Sequence, residues 1–299
     1  MSDVADISMP HAEAAPRREG LARGWFRFRQ SRLSMVGAAL TFVVLFFAVF
    51  GMMLAPYPEH VAGGIETGLR FLPPSWAHPF GTNELGQDVL SLTMAGTTVS
   101  VLAGFGVVLI GTLIGTVMGG IAGFAGGWLD EILMRFTDLT LTIPSLILAM
   151  AIAAALGPGF ENMVLAISLS WWPGYARLVR GEVIGAREEV YVTAARAIGA
   201  SPTRVLFRHI LPNCVSPIIV KMSLDMGFAI LTVAGLGFIG IGVRPPTPEW
   251  GTMLSNARSY MPDIWWTAMA PGTAMFLTVV GFNLLGDGLR DILDPKGRR

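Results

Sequence analysis

The 299-residue chain is 53% hydrophobic and only 14% charged, where an average soluble domain carries about 25% charged residues. With a mean hydropathy of +0.58, too few charges remain to solvate a globular surface, and the composition reads as an integral membrane protein. Twenty-one basic residues cancel twenty-one acidic ones, so no global field recruits nucleic acid. The single cysteine, Cys214, excludes a disulfide framework, and four scattered histidines (His11, His60, His78, His209) do not make a zinc site.

Residues 1–24, rich in Ala, Pro, Arg and Glu, read as a disordered stretch within a cytoplasmic tail over 1–32. Leu33 to Leu54 carries no charge and matches the ~20 apolar residues of one span. It is about twice the length of a signal-peptide core and reads as a retained anchor, with the first span over 33–55. An extracytoplasmic loop and interfacial segment follow over 56–96. Val89 to Leu129 is again free of charge but too long for one straight span, so the second helix is expected from about Thr97 to Phe124. Glycines at 111, 115, 119, 123 and 127 recur every four residues, which places Gly111, Gly115, Gly119, Gly123 and Gly127 on one face. A neighbouring backbone can approach such a face closely, as in bundle packing; the alternative is room for a solute beside a pore.

The remaining spans are Leu139 to Phe160, Asn162 to Ala176, Met226 to Val243 and Ile264 to Gly286. The predicted class is all-α, six membrane helices, with a five-helix core over 97–287 and a cytoplasmic tail over 288–299. Pro144 and Pro173 should kink the third and fourth spans. Trp171 and Trp172 beside Pro173 suit packing or the lining of a route. Asp225 falls at the edge of the fifth span, four residues after Lys221, and reads either as a boundary ion pair or as a group that couples to solute.

Basic residues test the topology. Six precede Leu33, seven lie between the fourth and fifth spans, Arg135 is one more and the C-terminal tail holds four; only Arg70, Arg244 and Arg258 remain. Both termini inside satisfies the positive-inside rule. Splitting Val89–Leu129 into two spans would put the two most basic segments on opposite sides.

Ala186 to Pro212 is the most specific stretch. Val190, Ala194, Ala197 and Ile198 recur at helical spacing. Gly199 fits the C′ position, where a positive φ is needed. Ser201 then caps a second short helix with Pro202 at its first position, and Leu211 precedes Pro212, which stops it. Small residues at the bend, where a lipid-facing helix would want bulk, point to docking of another protein. Gly235 to Gly240 matches GxGxxG, but it lies in an apolar membrane run with no strand before it, so it is not read as a dinucleotide site. Neither Lys221 nor Lys296 follows a glycine, so the chain has no Walker A loop, and it shows neither GxSxG nor HExxH.

Thr193-Ala-Ala-Arg-Ala-Ile-Gly199, followed by Ile210, Leu211 and Pro212, resembles the EAA loop of ABC importer permeases. Thr193 replaces the usual glutamate there, and His209 the usual isoleucine. His78-Pro-Phe-Gly-Thr82 with Gly86, Asp88 and Val89 is similar to the dipeptide/oligopeptide/nickel group, and within it to the second, C-type permease. So are Arg208 to Asn213, Pro245 to Leu254 and Asn283 to Arg290 with Asp294-Pro295. Gln87, Leu92 and Thr98 stand where many relatives carry arginine. The resemblance implies a type I importer permease and a coupling loop over 186–212, including Thr193, Ala194, Ala195, Arg196, Gly199, Ser201, Arg204, His209, Leu211 and Pro212. It implies as partners a homologous second permease, two ATPase subunits holding ATP and Mg, and an extracytoplasmic binding protein. This chain would carry no cofactor of its own. Peptide is the implied cargo, with nickel or another small solute as the alternative. An ion-coupled secondary transporter would need mid-membrane carboxylates and a repeat between halves.

Overall fold

The computed structural model describes residues 25–26 and 28–293. The tail reading over 1–24, Arg17, Arg18, Arg23 and Arg27, and the residues from Asp294 onward lie outside the described residues. Helix α1 (Arg32–Leu54) is capped by Ser31, whose hydroxyl accepts from the Ser34 amide, and it exposes Phe42, Val49 and Met53. A short α2 (Pro58–Val61) and an irregular segment lead to α3 (Val89–Ala125).

The second helix starts at Val89, not near Thr97. Asp88 caps it, accepting from the Ser91 amide at 2.8 Å, and no breaker interrupts its 37 residues until Gly126 turns the chain with φ +67°. The third span differs more. Instead of one helix from Leu139, there is α4 (Gly127–Thr142) and α5 (Ser145–Leu156), bent by 91°. Proline disfavours helical backbone at the residue before it, and Ile143 is extended at φ −90°, ψ 126°. Pro144 therefore breaks the helix. By contrast α6 (Phe160–Arg187) runs through Pro173 as one helix and continues well past Ala176.

After α6 come α7 (Val190–Ala197), α8 (Pro202–Arg204), a π turn over Val205–Ile210 and a 3-10 turn over Leu211–Asn213. Helix α9 (Val215–Phe238) begins long before Met226, so Asp225 sits inside it and not at its edge. Helices α10 (Trp250–Ala257) and α11 (Trp266–Leu293) complete the fold. Among the described residues, four helices (α1, α3, α9, α11) are long and apolar enough to cross a membrane, five if α4 and α5 form one bent span. A sixth crossing needs α6, whose C-terminal half carries Arg177, Arg180, Glu182 and Arg187.

The core joins α3, α6 and α9 around Val107, Ile167 and Ile230, with Trp250 of α10 wedged in at 1% exposure. The α3–α6 contact follows the glycine row. A Cβ on Gly123 would lie 2.8 Å from the Arg180 carbonyl oxygen, one on Gly115 2.6 Å from that of Trp172, and one on Gly119 would strike the Ala176 carbonyl. Gly127 does not belong to this face: α3 has ended, and nothing lies within 4 Å of its Cβ position.

Candidate functional site

The segment after α6 is built from the backbone upward. Helix α7 ends in a Schellman turn: the Gly199 amide donates to Arg196 O at 3.0 Å and the Ala200 amide to Ala195 O at 3.1 Å. Gly199 holds φ +83°, a conformation that costs a side-chain-bearing residue roughly 1 kcal/mol or more. Ser201 then caps α8, accepting from the Arg204 amide at 3.4 Å, with Pro202 in the first turn. These are the local features the sequence specifies.

The helical stripe is present but faces the other way from a core stripe. Val192 points inward, into a cluster with Val179 and Val183 of α6 and with Val205, Leu206 and Ile210, and Ala195 is also buried. Val190, Ala194, Ala197 and Ile198 point out, Val190 at 81% and Ile198 at 87% exposure. Phe207 is exposed beside them. Thr193, Arg196, Gly199, Ser201, Arg204 and Pro212 share the exposed surface, and Arg196 lies over the Phe124 ring at 5.8 Å. His209 is half-buried; with Ile198, Gly199, Ala200, Arg204 and Arg208 it lines a cleft of ≈ 270 Å³. Leu211 faces in, toward Gly120 of α3, and packs, as Phe124 does, against the same buried cluster. A firm base thus carries an open rim that is apolar at its centre and basic at its edge.

Three arginines of α6 that sequence reasoning counted only as topology signals tie this base to its neighbours. Arg180 grips Asp130 of α4 with two bonds of 2.6 and 2.7 Å, and Arg177 meets Asp138 at 2.8 Å. Arg187 donates to the Gly123 and Phe124 carbonyls that end α3.

On the opposite end of the bundle, the segment between α1 and α3 closes on Asp88. His78 Nδ1 lies 3.0 Å from Asp88 Oδ1, and the Asp88 amide donates to His60 Nδ1 at 3.0 Å. Gln87 donates to Gly64 O at 2.9 Å and, like Leu92, is buried, a place suited to an uncharged side chain. The Trp266 indole donates to Thr82 O at 3.2 Å and joins the segment to α11. Glu249 is the group that sequence reasoning missed. Fully buried, it caps α10 by accepting from the Gly251 and Thr252 amides at 2.8 and 2.9 Å. Burial pushes its carboxyl above the ordinary value, against bonds from Gly251, Thr252 and Ser100 that hold it down. A Cβ at Gly237 would strike this carboxylate. The second glycine of the GxGxxG run is therefore a seat for Glu249.

The candidate route residues do not all come together. Trp172, 5% exposed, stacks on Phe136 of α4 at 5.6 Å, and Pro173 is buried in α6. Both are packing residues in this subunit. Asp225 instead pairs with Lys221 at 2.9 Å. Among the described residues no three His, Cys, Asp or Glu side chains gather to hold a metal ion.

With this geometry in place, the comparisons are specific. Residues 111–299 match the family of binding-protein-dependent transport system inner membrane components. Residues 21–74 match the N-terminal transmembrane domain of oligopeptide transport permease C. A probable D,D-dipeptide transport system permease of Escherichia coli K12 is 47% identical over 97% of this chain and 96% of its own length. A di/tripeptide transport system permease of Pseudomonas aeruginosa is 42% identical over 91% of each chain. A glutathione transport system permease of Escherichia coli O157:H7 is 41% identical, covering 91% of this chain and 89% of its own. Relatives matched nearly end to end and a family model over most of the helical bundle make this an inner-membrane permease subunit that works with ATPase and binding-protein subunits: the chain belongs to the binding-protein-dependent transport system inner membrane components.

Proposed function

We propose that this chain is one pore-forming half of an ATP-driven importer of di- or oligopeptides. The other half is a homologous permease, two ATPase subunits lie on the cytoplasmic face, and the segment over 186–212 docks into an ATPase subunit. A binding protein delivers cargo on the far side, to the surface formed by 56–88 and 239–265. ATP and Mg belong to the ATPases, and this subunit holds no cofactor. Six crossings with both termini inside place the docking segment in the cytoplasm, in keeping with the inward bias of basic residues. The relatives are named for D,D-dipeptides, di/tripeptides and glutathione; small peptides are the cargo class read onto this chain.

The observation that carries the docking assignment is the outward apolar stripe on a packed base. Exposed Val190, Ala194, Ala197 and Ile198 are of little use to a solvated loop, while small residues at the bend leave room for a partner surface. Gly199→Asp tests it. Nothing lies within 4 Å of a Cβ there, so the subunit tolerates the substitution apart from the backbone strain, whereas a docked partner meets a desolvated charge. The expected outcome is normal membrane levels, loss of uptake and reduced co-purification of ATPase. Arg204→Ala, a rim charge, should do less. A loop that merely rests on anionic lipid gives the reverse order, and that result would remove the docking assignment.

A further inference from the structure

The ion pair of Lys221 and Asp225 lies inside α9, with Asp225 about 15 Å from the helix start at a rise of about 1.5 Å per residue. It is not sealed. The Lys221 side chain is 32% exposed and that of Asp225 17%. An ion pair in a spanning helix is poorly placed against hydrocarbon, so the open side of this pair faces water or protein.

Two further groups surround it. Tyr175 of α6 is fully buried, and its ring lies 5.0 Å from Lys221 Nζ. Thr112 of α3 is 7% exposed. Neither hydroxyl has a hydrogen-bond partner. Asp225 and Thr112 stand near hydrogen-bonding range of the Tyr175 hydroxyl without completing a bond to it. Gly174, one residue before Tyr175, leaves the space that the Lys221 stem occupies; its Cβ would stand 3.8 Å from Lys221 Cε. A structural ion pair accounts for the place of the Lys221 stem but not for the two hydroxyls. Phenylalanine and valine would fill the same volumes without leaving two hydroxyls unsatisfied in the bundle.

We propose that Lys221 and Asp225, backed by the Tyr175 and Thr112 hydroxyls, form a binding site on the solute route for the two charged ends of a small zwitterionic peptide. Asp225 takes the ammonium and Lys221 the carboxylate, as the two side chains part from each other. The mobile four-carbon stem of Lys221 allows that separation. The hydroxyls accept or donate the bonds that the parted groups lose. A pair of net charge zero matches a ligand of net charge zero, so the exchange leaves no unpaired charge at either stage.

This inference rests on the peptide reading above, and the experiment separates the two. The complete complex is reconstituted in proteoliposomes with saturating binding protein loaded with Ala-Ala, so that capture outside is equal in every sample. The readout is Ala-Ala moved per ATP hydrolysed. Tyr175→Phe and Thr112→Val remove only unpartnered hydroxyls; a purely structural role makes them neutral or stabilising. The proposal expects both to assemble at wild-type levels with wild-type or higher thermal stability, yet to move at least about threefold less peptide per ATP. Lys221→Met with Asp225→Asn removes both charges together and leaves neither one unpaired; a fall of about tenfold or more is expected. Should that double variant fail to assemble, Tyr175→Phe and Thr112→Val decide. Wild-type coupling in both hydroxyl variants would overturn the site while leaving the peptide reading intact. If the wild-type complex moves no Ala-Ala but moves another solute, the peptide reading falls and this site falls with it.

Discussion

Cys214 lies beneath α7, 2% exposed, with its Sγ donating to the Ile210 carbonyl at 3.4 Å. Burial, with a smaller contribution from Glu182, pushes its thiol up to about 11. The thiolate is the reactive form, and its fraction grows as pH rises toward that value. At pH 8 only about one thiol in a thousand is ionised. Labelling of native protein by a maleimide at pH 7.5 should therefore be at least about 100-fold slower than that of an unfolded control. It should accelerate as the pH is raised, provided the fold is kept. Rapid native labelling at pH 7.5 would mean that the base under α7 opens readily. At the same scale, Gly199 and Ala195 divide the work of the turn. Ala195 is buried while its carbonyl closes the Schellman turn, and Gly199 supplies the backbone angle. A substitution at Ala195 should reach the fold itself, and one at Gly199 the partner.

Among the helices, the α3–α6 seam has a graded test. Replacing glycine by alanine inside a helix ordinarily stabilises it by about 0.5–1 kcal/mol. At Gly119 the added methyl strikes the Ala176 carbonyl, so Gly119→Ala should instead destabilise by about 1–3 kcal/mol. Gly119→Leu should prevent recovery of the complex. Gly111→Ala meets the Ser168 carbonyl at an ordinary 3.7 Å and should follow the general rule, stabilising slightly. Thermal unfolding of the detergent-solubilised complex reads this order; equal effects at the two positions would show that the seam is looser than described. This seam was legible in the sequence because a four-residue glycine period is a local signal. The 91° bend was legible only in part. Pro144 announces a disturbance, but its size depends on what α4 and α5 pack against, and no local pattern carries that. The same holds for Asp130, whose partner Arg180 is 50 residues away, and for Glu249, whose contact Ser100 is 149 residues distant.

For the whole molecule, the helical class and the turn after α7 could be read early because apolar windows, capping residues and a Gly-Ser-Pro succession act over a few positions. Depth and direction could not. The outward turn of Val190, Ala194, Ala197 and Ile198 is decided by the valines of α6, and the early start of α9 is masked in the sequence by the charges of Lys221 and Asp225. The proposed orientation has a direct check. In a Cys214→Ala background, a cysteine at position 200 should resist an impermeant reagent added to intact cells, and one at position 76, where Trp76 is wholly exposed, should react once the outer barrier is permeable. Labelling of residue 200 from outside would reverse the orientation.

The unbroken course of α6 has a mechanical consequence. Its 28 residues make a rod of about 42 Å, gripped at one end by Val192, Val205, Leu206 and Ile210 and clamped along its flank to α4 through Arg177 and Arg180. Along α3 it rests on glycine, a surface of low relief. The contact is backbone to backbone, and Arg187 fastens α6 to the carbonyls that end α3, so a push on α7 is shared by α3, α4 and α6 as one block.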